Sequence, residues 1–167
     1  MNWCSASMGP RCRNGHHRPY LNGSKPSPMT IVPTEADTRI ATLTCARPDL
    51  LEIRYKPGVH FTPETVAEVQ AARRRMMGDR SYATFTVIPA DADFTLETMR
   101  EDHGDGDRGQ GRVLASAIVV RSTLIERLTH VYFKYYPQLQ RVLITDDEVE
   151  ARAWMTAQLE EISRMGS

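Results

Sequence analysis

Cys4, Cys12, His16 and His17 are residue types that hold zinc, and they fall within one short stretch of the chain. Zinc sites draw their ligands from closely spaced pairs. Here the cysteines stand far apart and the histidines are adjacent, in a segment without apolar period, so no metal site is expected. A second stretch, HGDGDRGQG (103–111), alternates acids with glycines in the manner of a calcium loop. It lacks the third acidic position and the terminal bidentate Glu of an EF-hand, and it has no phosphate-loop lysine. It reads as a solvated loop. His60, His103 and His130 are scattered, and no Gly-x-Ser-x-Gly elbow or prominent pair of carboxylates at strand ends accompanies them. The expectation is a non-enzymatic chain with no catalytic residue and no cofactor.

Composition bounds the alternatives. With 41% hydrophobic and 25% charged residues in 167, the chain falls in the globular range and is long enough for a real core. A formal net charge of +0 speaks against gripping nucleic acid or an anionic membrane. No apolar run approaches the roughly 18 residues of a spanning helix, and no signal-peptide core is visible. Three cysteines make an odd set that suits a reducing compartment. A cytoplasmic location is expected.

Residues 1–38 are rich in Gly, Pro, Ser, Asn and Arg and show no apolar period, so they are read as a disordered or loosely ordered extension. Met29 opens a more ordinary stretch and is a candidate natural start. From 39 to 167 the chain alternates. IATLTCA (40–46) and LLEIRYK (50–56) flank the turn residues Arg47, Pro48 and Asp49 and predict a hairpin, with Leu51, Ile53 and Tyr55 on one face. Thr62, Pro63 and Glu64 announce a helix over 63–77 that turns Val66, Val69 and Met76 inward and stops at Gly78. The cations Arg73, Arg74 and Arg75 at its end complement the helix dipole.

YATFTVI (82–88) predicts a strand, DFTLETMRED (93–102) a short helix, and VLASAIVV (113–120) a strand buried on both faces. After Ser122 a helix runs to Pro137, with Leu124, Leu128, Val131 and Tyr135 spaced as its core face. Residues 141–144 predict the last strand. Thr145 and Glu148 form a capping box for a final helix that carries Val149, Ala153, Trp154, Leu159 and Ile162. The acids of that junction, Asp146 and Asp147, start a helix rather than perform catalysis. The order β-β-α-β-α-β-α-β-α predicts an α/β fold with a mixed, mostly parallel sheet.

Three segments carry a family resemblance: LLEIRYKPGVHFTPETVAEVQAARR, LASAIVVRSTLIERLTHVYFKYYP and RVLITDDEVEARAWM. Together they resemble the STAS and anti-sigma-factor-antagonist superfamily, including its small bacterial members of unassigned function. The resemblance covers about residues 40–163 and implies a STAS-like fold that works by docking to another protein. Antagonists of this superfamily switch through a phosphorylated Ser in an Asp-Ser-Ser-Gly-like turn. Here the turn reads PADADFTLETM, with neither the Asp-Ser pair nor the Gly; its nearest hydroxyl is Thr95. Thr95 is therefore the candidate phosphosite, set against the commoner role of a helix cap.

Tyr132, Phe133, Tyr135 and Tyr136 occupy consecutive helix positions and cannot all face one core. Tyr132, Phe133 and Tyr136 are candidates for a partner or homodimer surface, the other reading being a satellite core cluster. Trp154 is expected in the core. The predicted function is a bacterial regulatory or scaffolding domain that binds another protein. The alternative is a domain for a small molecule, a nucleotide or lipid, near the 103–112 loop.

Overall fold

In the computed structural model, which describes residues 34–103, 112–135 and 141–165, six strands form one sheet. In chain order the elements are β1 (Glu35–Asp37), β2 (Ala41–Arg47), β3 (Leu50–Tyr55), β4 (His60–Phe61), α1 (Pro63–Met77), β5 (Tyr82–Ile88), β6 (Asp93–Phe94), α2 (Leu96–Arg100), β7 (Val113–Val120), α3 (Thr123–Tyr135), β8 (Val142–Thr145) and α4 (Glu148–Met165). The main sheet runs β1-β2-β3-β5-β7-β8, while β4 and β6 pair separately. β1, β2 and β3 are antiparallel neighbours; β3, β5, β7 and β8 are parallel. This is the mixed, mostly parallel α/β sheet that the alternation of elements predicts.

The two crossovers β3–α1–β5 and β7–α3–β8 step across the sheet in the same direction, which puts α1 and α3 on one face. There Val69 and Met76 of α1 and Ile125 of α3 pack with Leu43, Leu51, Ile53, Ile118 and Val120. α4 follows the last strand and folds onto the opposite face. Its Ala151, Met155 and Leu159 cover Ala83, Phe85, Ala115, Ala117 and Val119. β7 thus feeds both layers by simple alternation, and its residues from Ala115 to Val120 are all buried. Small side chains at 115 and 117 let α4 approach the sheet closely. Thr84 and Ser116, paired in register and both buried, satisfy each other with a 2.9 Å hydrogen bond.

Local signals account for α1 in full. Thr62 caps it, with Thr65 closing the reciprocal capping box and Pro63 in the first turn. Gly78 ends it at φ 56°, a conformation that costs other residues. Val66, Val69 and Met76 face inward as predicted. Arg73 departs from its expected dipole role. It lies three and four residues from Met76 and Val69, so it shares their inward face, is buried, and donates to the Tyr82 hydroxyl and to Gln70 Oε1. Burial also pushes the nearby Tyr55 phenol up to about 12, the Arg73 cation opposing.

Other expectations are corrected. The sheet reaches back into the segment read as an extension: the polar β1 is held by its ladder to β2, and Thr38 exchanges two hydrogen bonds with Ala41. Residues 1–33, with the four candidate zinc ligands, lie outside the described residues. Of the helix predicted over 93–102, Asp93 and Phe94 instead pair with β4, and Phe94 stacks on Phe61 at 4.3 Å. The cap of α4 is Asp147, not Thr145: its Oδ1 accepts from the Val149 and Glu150 amides at 2.7 and 3.3 Å. Val149 is exposed, and the inward residues near it are Ala151 and Met155. Trp154 packs, half-buried, against the α4-side core.

Candidate functional site

α3 begins after Ser122, whose carbonyl accepts from the Glu126 amide at 2.8 Å. Its buried residues are Ile125 and Thr129. Thr129 is tolerated there because its hydroxyl donates to the Ile125 carbonyl at 2.8 Å. One turn on, Phe133 packs against the same core. Tyr132 accepts the His103 amide at 3.0 Å, stacks on the His103 ring at 5.9 Å, and meets Phe133 edge-on at 5.5 Å. The His103 Nε2 lies 2.7 Å from the Thr98 carbonyl and must donate, since a carbonyl only accepts. Tyr132 and Phe133, both named as interface candidates, are therefore half-buried against their own chain. Tyr136 lies outside the described residues.

The face predicted to be core points the other way. Leu124 is 65% exposed, Val131 47% and Tyr135 76%, with Leu128 half-buried between them. Both sides of α3 are apolar, so helical spacing alone does not decide between them. The position of the sheet selects Ile125, Thr129 and Phe133. What remains is an apolar stripe along a helix, directed at solvent. Exposed Arg127 and Lys134 lie along one flank of it. Among the described residues neither has a hydrogen-bond or ion-pair partner.

Thr95 is the cap of α2. Its hydroxyl oxygen accepts the Thr98 amide at 3.2 Å and lies 2.7 Å from the Thr98 hydroxyl, which in turn donates to the Phe61 carbonyl. The histidines are not brought together: His60 faces Asp93 at 3.4 Å, His130 faces Glu126 at 3.9 Å, and His103 serves the Thr98–Tyr132 junction. Among the described residues no three His, Cys, Asp or Glu side chains converge as metal ligands. A groove of about 470 Å³ beside α4, lined by Arg47, Thr156, Leu159, Glu160, Ser163 and Arg164, is open to solvent. Residues 104–111 of the Gly-rich loop lie outside the described residues. No described helix is long and apolar enough to cross a membrane.

The α4 face holds a charge network without a local sequence signal. Glu52 and Arg54 alternate with Leu51 and Ile53 along β3 and so point toward α4. Arg54 donates to Glu148 at 2.7 Å, and Arg152 donates to Glu148 at 3.0 Å and to both oxygens of Glu52 at 3.1 and 3.3 Å. Arg121 approaches Glu148 to 3.9 Å. Hydrogen bonding from Arg54 holds the Glu148 carboxyl below its usual range, with Arg152 adding to it and burial opposing. Period-2 reasoning finds the face these groups occupy; their partners are 94 and 100 residues away and leave no spacing to read.

No protein-family model and no curated protein matches the chain. Among solved structures, the chain is similar to an uncharacterized protein of the DUF3478 family with a SpoIIAA-like fold from Shewanella loihica PV-4. The two are 16% identical over 72% of this chain and 90% of that one, with a TM-score of 0.46. The likeness is one of fold.

Proposed function

We propose that this domain is a regulatory or scaffolding module that works by contact with another protein rather than by catalysis, and that α3 is the contact. The observation that supports this reading is the outward apolar stripe of Leu124, Leu128, Val131 and Tyr135. Exposed apolar side chains grouped along one helix are a feature of interaction surfaces, whereas isolated ones need no explanation. The charged groups of the α4 face are already matched with one another, which suits a structural role for them.

The test uses the full chain and a triple variant, L124S/V131S/Y135S. All three side chains are exposed, so the fold is expected to survive; circular dichroism and thermal unfolding check this. Quantitative mass spectrometry compares what each protein retains from a lysate of its native host. The reading expects a defined set of proteins held by the unaltered chain and lost by the variant. Identical sets on both would refute it.

A further inference from the structure

The stripe has a repeat. Leu124, Leu128, Val131 and Tyr135 are separated by four, three and four residues, the spacing of a coiled-coil seam. With Leu128 and Tyr135 in the a position and Leu124 and Val131 in d, Arg127 and Lys134 both fall in g. That flank sets partner choice through charge pairs across the seam. The opposite flank, e, is Ile125 and Tyr132, which are turned into the domain itself. One side of the seam is therefore closed by the fold, and the other carries two exposed cations.

Resting on the contact role proposed above, we infer that the partner lays an acidic amphipathic helix along α3. Its apolar residues pack on the seam, and its carboxylates pair with Arg127 and Lys134. From 124 to 135 the seam is about 16 Å long, the length of about three helical turns. At 3.6 residues per turn its four side chains lie within roughly 60° of arc. That fits one partner helix and is narrower than the apolar face of roughly 100° or more that a broad apolar surface engages.

The chain's own segments fit less well. Residues 1–33 carry Arg11, Arg13, Arg18 and Lys25 and no carboxylate, so they would meet Arg127 and Lys134 as like charges. A second copy fares no better. In an antiparallel α3 pair the g flanks face each other, cation against cation. In a parallel pair they face the e flank, which is occupied by the domain's core.

Two fluorescent helical peptides of two heptads test this, both with Leu in the seam. One carries Glu in the flanks and the other Lys. Anisotropy titrations use the full chain, R127E/K134E and L124S/V131S. The Glu peptide is expected to bind the unaltered chain at least about tenfold tighter than the Lys peptide. That preference is expected to invert on R127E/K134E, and L124S/V131S is expected to weaken both peptides. Equal binding of the two peptides, or no binding, overturns the inference. So does co-sedimentation with phosphatidylserine vesicles that R127E/K134E abolishes, or concentration-dependent self-association that L124S/V131S abolishes. If L124S/V131S/Y135S loses lysate partners while R127E/K134E keeps them, the contact surface stands and the acidic helix falls. If neither variant loses any, both readings fall.

Discussion

The guanidinium of Arg152 lies 4.4 Å from the centre of the Phe85 ring. Arg152 belongs to α4 and Phe85 to β5, so the contact joins the helix to the middle of the sheet. The same side chain forks onto both oxygens of Glu52 and reaches Glu148. A planar, many-donor cation can do all three at once, whereas an ammonium cannot. Arg152→Lys keeps the charge and loses the stacking and the fork. It is expected to lower stability by about 1 kcal/mol. Urea unfolding of the two proteins measures it; coincident curves would mean that the charge alone matters.

The reversal of α3 gives a sharper contrast between adjacent residues. Ile125 is 3% exposed and Leu124 65%. Ile125→Ala is expected to destabilise by about 2–4 kcal/mol, Leu124→Ala by no more than about 0.5 kcal/mol. Denaturation midpoints of both variants settle which side of the helix faces the sheet. Equal losses would contradict the packing described.

Glu148 makes the fold sensitive to acid in a defined direction. Its carboxyl is held below the ordinary value of 4.5 because Arg54 hydrogen-bonds its charged form. A depressed carboxylate adds stability that is complete above the unfolded value and disappears as pH falls through the folded one. Glu148→Gln should therefore be less stable than the unaltered chain at pH 7. The gap should close as pH falls well below 4.5. Thermal unfolding across that range checks it; a gap that stays constant with pH would assign the effect to packing.

The cap of α4 separates two neighbouring acids. Asp147 accepts two amides of the first turn. Asp146 is exposed and has no hydrogen-bond or ion-pair partner among the described residues. Asp147→Ala is expected to cost about 1 kcal/mol and Asp146→Ala close to nothing. Differential scanning calorimetry distinguishes them, and a larger loss at 146 would move the cap.

Elements written by their own residues were legible in the sequence. α1 carries its cap, first-turn proline and terminal glycine within 63–78, and β7 is an unbroken apolar run. β1, β4 and β6 were not, because two or three residues held by a neighbour's ladder need no pattern of their own. The aromatic group of α3 stood out by type, but its orientation did not. Two apolar stripes compete on that helix, and the one containing Thr129 looks the poorer until its hydroxyl is satisfied by the turn before it. The seam thus emerged only from knowing where the sheet lies.

One sheet face bears Ala83, Phe85, Ala115, Ala117 and Val119, and among the described residues α4 alone roofs it. Every strand under that roof precedes α4 in the chain. As the protein leaves the ribosome, those side chains must wait, wet and adhesive, until the final helix arrives. A message cut short before codon 148 would yield not a smaller working unit but a ligand for chaperones and proteases.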